Sequence, residues 1–198
     1  MKTRIEIAIL LSALFLLAVY KADQWTRGSG ISPEAPAAQA LRQVARWPAF
    51  AQLVAQMMIE KYGPPQDVFQ DRIEWVSCWP WKRIVVSAAV PSAPLEQVID
   101  YYVPDERLGD LARYPHGLVV YPNQGEIAAR SESESLNRLN LNLAHDIVTG
   151  RRTPEEASRF FNKTLELSAA GKTSPYMERL LFEVAPQERL GPSFMYRF

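Results

Sequence analysis

Gly63-Pro64-Pro65 divides this chain into a helical part and a strand-rich part. The glycine suits the end of a helix, and two successive prolines forbid a restart. Just upstream, Phe50, Leu53, Val54, Met57 and Met58 recur at the i, i+3, i+4, i+7, i+8 spacing of a core-facing helix. An earlier helix is expected from Pro33 to Trp47, entered through Ser32-Pro33 and interrupted by Pro48. Downstream, Arg72–Ser77 and Lys82–Val90 flank the turn Cys78-Trp79-Pro80-Trp81, which predicts a hairpin. Leu95–Val103 concentrates β-branched and aromatic residues and reads as a third strand. Pro104 opens a short helix through Leu108, Leu111 and Tyr114. Leu118–Pro122 and Glu126–Ser131 then flank Asn123-Gln124-Gly125 as a second hairpin.

Helices return after Ser131. Ser131-x-x-Glu134 has the spacing of a capping box, and Leu136, Leu139, Leu143 and Ile147 form an apolar face that ends at Gly150. Thr153-Pro154-Glu155-Glu156 is a second capping box. Ala157, Phe160, Phe161, Thr164, Leu165 and Ser168 follow at helical spacing, and Gly171 stops the run. A short helix is expected from Pro175 to Phe182. The pattern predicts an α+β fold: an antiparallel sheet of about five strands packed against helices on one face.

The first residues follow a different rule. Lys2 and Arg4 precede an apolar run from Ile7 to Tyr20, which Ile5 extends, and Lys21 follows it. The run is short for a spanning helix but suffices for a thin bilayer once Tyr20 and Lys21 reach the interface. A cleaved signal peptide is the rival reading. It requires small residues at the cleavage site, and Tyr20 stands two places before the nearest candidate, Ala22. No cysteine follows the run, which excludes a lipoprotein anchor. The expected organisation is a single transmembrane anchor over residues 1–22, a flexible Gly/Ser linker over 23–32, an α+β domain over 33–182 and an irregular tail over 183–198. Positive charge is nearly balanced across the run, and a short N-terminal tail favours a domain on the outer (periplasmic) face of a bacterial inner membrane.

Composition narrows the function classes. Hydrophobic residues are 47% of the chain, enough for a core. The formal net charge is zero and the isoelectric point about 6.8, with none of the basic bias of a nucleic-acid binder. Cys78 is the single cysteine, so an internal disulfide and a C-x-x-C motif are both excluded. No Gly-rich phosphate loop and no G-x-S-x-G elbow occurs.

In order along the chain stand EKYGPPQDV, IEW, PWKRIVV, LEQVIDYYVP, GEIAAR and LNLAHDIVTG. Over roughly Glu60 to Phe161 this series resembles an uncharacterised family of small bacterial α+β proteins. The resemblance implies an α+β fold and no established activity. Relatives carry histidines in a longer connection between the second and third strands, where this chain has Ala89-Val90-Pro91-Ser92-Ala93-Pro94. They also carry a cysteine where Ser131 stands. If those groups do chemistry, this chain has lost it. A fainter similarity is to the outer-membrane assembly lipoprotein fold, through a helix, a Gly-x-Pro-like break and a tryptophan-bearing strand.

Two groups of residues are candidates for a site. The first is polar: Asn137, Asn142, His145, Asp146 and Glu126, with Asn140 between. His145 could act as a base oriented by a carboxylate or an asparagine. Adjacent helical residues point about 100° apart, so His145 and Asp146 are not expected to pair with each other. The alternative is structural: three asparagines in one helix carry a propensity cost, which implies hydrogen-bond partners. The second group is aromatic: Trp79 and Trp81 around the hairpin turn, and Phe194, Tyr196 and Phe198 in the tail. Trp79 at the turn's entry is expected to meet a partner protein, and Trp81, which opens an apolar strand, to join the core. His116 lacks a metal-ligand spacing, and no metal or cofactor is expected. Taken together, the residues predict a non-enzymatic, single-pass membrane accessory or assembly subunit. Its partners would be the membrane through residues 5–20 and other subunits of the complex, with no nucleic acid. A ligand-binding module or enzyme built on His145 is the alternative.

Overall fold

A computed structural model of the chain describes residues 34–184. The apolar run 5–20, the linker and the aromatic tail lie outside the described residues. The chain divides into two units, Met1–Ala38 and Gln39–Phe198, and the second contains the whole sheet. No helix among the described residues is long and apolar enough to cross a membrane.

Six strands form one antiparallel sheet in the order β1-β2-β3-β4-β6-β5. They are β1 (Asp67–Val68), β2 (Arg72–Cys78), β3 (Trp81–Ser87), β4 (Leu95–Asp100), β5 (Leu118–Tyr121) and β6 (Glu126–Ser131). The pattern predicted about five strands. The sixth, β1, pairs only Asp67 and Val68 with Glu74 and Ile73, too short a stretch to show periodicity. Helices α1 (Glu34–Val44), α2 (Ala49–Tyr62), α3 (Asp105–Ala112), α4 (Glu134–Val148), α5 (Pro154–Ala169) and α6 (Pro175–Glu178) complete the fold.

Both α2 and α4 pack on the same face of the sheet. Ile73 and Trp75 on β2, Ile84 and Val86 on β3, Leu95 and Ile99 on β4, and Ile127 and Ala129 on β6 form one buried core with α2 and α4. Three buried indoles tie α2 and the turns at its ends to the sheet side. Trp47 Nε1 donates to the Gln70 carbonyl at 3.0 Å, Trp75 Nε1 to the Gly63 carbonyl at 2.9 Å, and Trp81 Nε1 to Tyr62 Oη at 2.9 Å. The carbonyl freed where Gly63 ends α2 is thus satisfied from the sheet.

The buried face of α2 differs from the sequence expectation. Ala51, Val54, Ala55 and Met58 face the core, while Phe50, Leu53 and Met57 are exposed. Small alanines let the helix approach the sheet closely, and the larger side chains are rotated outwards.

Strand alternation breaks at the hairpin tip. Ser77 adopts a left-handed φ of 57°, and the ladder passes from Val76↔Arg83 directly to Cys78↔Trp81. The register is the same on both sides of this break, so no residue is inserted and only the Ser77–Lys82 pair drops out of the ladder. Trp81 turns into the core, while Lys82 and Arg83 both reach the face away from the helices. That face carries ion pairs: Lys82 Nζ lies 2.6 Å from Asp100 and 2.8 Å from Glu126, and Arg130 Nε lies 3.0 Å from Glu96. Gly117 has φ of 71°, and a Cβ there would stand 2.3 Å from the Arg130 carbonyl oxygen. Only glycine fits this approach of the β5 entry to β6.

Two helix ends also differ from expectation. The N-cap of α4 is Ser133, whose hydroxyl accepts from the Leu136 amide; Ser131 stays on β6. Glu134 instead binds Lys61, Tyr62 and Arg138. The capping box at Thr153 forms as expected, with both reciprocal bonds to Glu156. The last helix, expected to reach Phe182, ends at Glu178, where Arg179 turns to extended backbone; Asn142 Nδ2 donates to the Tyr176 carbonyl within the helix and to the Arg179 carbonyl just past it.

Candidate functional site

Helix α4 is buried nearly all round, and its polar residues are what tie it down. Asn137 Nδ2 donates to the Leu95 carbonyl at 3.2 Å and to Gln97 Oε1 at 3.1 Å, while its Oδ1 accepts from Ser131 Oγ at 2.7 Å. The helix is thereby pinned to β4 and β6. Asn140 Oδ1 accepts from Tyr114 Oη at 2.9 Å, which fixes the loop after α3. Asn142 holds the chain beyond α5. Its Nδ2 donates to the carbonyls of Tyr176 and Arg179 at 2.9 and 2.8 Å, and its Oδ1 accepts from the Leu181 amide at 2.8 Å. Each asparagine therefore has partners, and residues 176–182 form a strap clamped along α4. Gln97 is fully buried between these groups, and its Nε2 has no hydrogen-bond partner.

His145 and Asp146 go to different partners. His145 Nδ1 shares a hydrogen bond with Tyr101 Oη at 2.9 Å, and its ring stacks on Phe182 of the strap at 4.5 Å. Asp146 is buried, accepts from Tyr176 Oη at 2.8 Å and pairs with Arg152. The guanidinium of Arg152 also lies 4.4 Å from the Phe160 ring. Strap, α4 and α5 thus meet at one charged, aromatic junction. Glu126 is not part of it. It begins β6 on the opposite face of the sheet, 2.8 Å from Lys82 Nζ. Of the five polar candidates, the fold brings together Asn142, His145 and Asp146. It places Asn137 nearer the start of α4 and Glu126 behind the sheet.

Burial and the nearby Arg151 hold the His145 imidazole below its ordinary pKa. The unfolded chain therefore binds this proton more readily than the folded one. Stability falls as pH drops through the ordinary histidine range near pH ~6.5, and the loss levels off below the depressed folded value. His116, stacked on Phe161 at 4.0 Å and bonded to Ser158 Oγ at 2.8 Å, is shifted downwards by burial and acts in the same direction. His145→Gln is expected to cost about 1 kcal/mol at pH ~8 through a disturbed hydrogen bond. It should flatten part of the acid-side loss. Melting curves of both proteins across this pH range check it; parallel pH profiles would count against the assignment.

The two turn tryptophans separate. Trp81 is 0% exposed and has no surface to offer a partner, while Trp79 is 70% exposed at the hairpin tip. The other aromatic candidates, Phe194, Tyr196 and Phe198, lie outside the described residues. Trp79 and Pro80 form one wall of an open groove of about 510 Å³. The opposite wall is the strap, through Leu180, Phe182 and Val184, with Arg138 alongside. No family model, curated protein or solved structure matches the chain. Sequence reasoning singled out Trp79 but missed the groove, because the strap is seated there by long-range contacts of Asn142, His145 and Asp146.

Among the described residues, no group of three or more His, Cys, Asp or Glu side chains is placed to hold a metal ion. Cys78 lies at the hairpin, where burial pushes its thiol pKa up, away from the reactive thiolate.

Proposed function

We propose that the chain is a non-enzymatic, single-pass accessory or assembly subunit of a bacterial membrane complex, related to the small α+β family its motifs resemble. Residues 5–20 anchor it, the domain stands on the periplasmic side, and the groove between the hairpin tip and the strap receives another subunit. The observation that carries this reading is Trp79: a large indole, 70% exposed, at the lip of an apolar groove. Exposed tryptophan is costly in water and prominent among interface anchors. The polar candidates support the same reading, since the asparagines, Asp146 and His145 are engaged in holding the strap that forms the groove's second wall.

The test is co-purification of the full-length protein from gently solubilised membranes. Trp79→Ala should melt within about 0.5 kcal/mol of the parent, as surface substitutions do, yet lose a subunit that the parent retains. A Trp79→Ala protein that retains every partner of the parent would overturn the reading.

A further inference from the structure

Helix α2 leaves a second apolar surface that the groove does not use. Phe50 is 40% exposed, Leu53 51% and Met57 52%, and Leu41 on α1 is 42% exposed. Phe50, Leu53 and Met57 fall at i, i+3 and i+7, so they line one stripe of the helix. The charge around them is one-sided. Between Glu34 and Glu60 the sequence has no acidic residue, in a chain that carries 22. It has Arg42 and Arg46 there, both exposed, beside the exposed Ala45, Pro48 and Ala49.

We propose that the corner formed by the end of α1 and by α2 is a membrane-docking surface, laid against a leaflet that contains anionic lipid. Apolar side chains enter the interfacial layer while the exposed arginines just before them in the chain meet lipid phosphates, the pattern of an interfacial segment. A protein partner would have no need of a segment purged of carboxylates, whereas an anionic leaflet repels each one. The inference rests on the reading of residues 5–20 as an anchor. Residues 21–33 span at most about 45 Å even when fully extended, so the anchor keeps this corner close to the bilayer and raises its effective concentration there.

Full-length protein carrying Cys78→Ser is labelled with an environment-sensitive fluorophore at Met57→Cys and, separately, at Lys163→Cys on the exposed side of α5. Both are reconstituted into vesicles of phosphatidylcholine, with and without phosphatidylglycerol, doped with a shallow spin-labelled lipid. Docking predicts several-fold stronger quenching at position 57 than at 163 in the anionic vesicles. Added salt should weaken it, and Leu53→Glu should abolish it without changing the melting temperature. Equal quenching at the two positions overturns the proposal. So does fluorophore burial that persists in detergent together with disulfide-linked dimers through position 57, which would assign the face to a second copy. Carbonate extraction of the same vesicles reads the anchor separately. Protein that washes off while position 57 had been quenched removes the anchor and leaves the docking surface standing; protein that stays on while 57 matches 163 does the reverse.

Discussion

Alanine at Trp81 is expected to lower folding stability by about 3–5 kcal/mol. The indole is fully buried at the start of β3, in contact with the core that α2 shares with the sheet. Truncation would open a cavity beneath α2, and it would also remove the donor to Tyr62 Oη. That hydroxyl in turn donates to Glu134 at 3.1 Å, and Glu134 is bound by Lys61 and Arg138. The loss therefore reaches the start of α4. Trp81→Phe keeps most of the volume and loses the hydrogen bond, so it should cost about 1–2 kcal/mol. Denaturant melts of the three proteins decide the matter. A Trp81→Ala protein within about 1 kcal/mol of the parent would mean that the hairpin tip is not part of the core.

The same hairpin shows how far the sequence could be read. Its two strands and turn were legible because β-branched runs flank a proline-bearing turn. The break in the ladder was not. Nothing in the residue types announces that Ser77 takes a left-handed backbone, or that Trp81 turns inwards while Lys82 lies beside Asp100 and Glu126. Glu126 is grouped with His145 and Asp146 in the sequence as a member of one possible pocket. Pairing register places it on the other face of the sheet, and register is a long-range property. On α2 the stripe Phe50, Leu53, Val54, Met57 and Met58 predicts the core face, and only Val54 and Met58 of it are buried, beside Ala51 and Ala55, whose small side chains allow the closer approach. The asparagines of α4 were legible as groups needing partners, since they disfavour an unaided helix. Who those partners are is set at long range: Asn137 and Asn140 bind groups earlier in the chain, and Asn142 binds a strap more than thirty residues later, which no local pattern carries.

Asn142→Ala is expected to release that strap. The side chain is buried and makes three hydrogen bonds to backbone groups of Tyr176, Arg179 and Leu181. Each backbone group left buried and unpaired would cost about 1–3 kcal/mol. The strap avoids the full sum by moving into water, so the expected loss is about 2–4 kcal/mol, limited by what detachment forfeits. Detachment forfeits the Phe182 stack on His145 and the Tyr176 bond to Asp146, and it removes the second wall of the Trp79 groove. Two local readouts separate this from general destabilisation. The Leu181 amide, whose acceptor is Asn142 Oδ1, should exchange with solvent at least tenfold faster, the change that about 1.4 kcal/mol of local opening produces. Proteolysis should cut between Tyr176 and Phe182 before it cuts the sheet. Asn142→Asp sharpens the case: it keeps the shape and the Leu181 acceptor but turns an oxygen towards two carbonyls, so it should loosen Tyr176 and Arg179 as much as alanine does. A Leu181 amide that stays as protected in Asn142→Ala as in the parent would show that packing alone seats the strap, and that the groove does not depend on this asparagine.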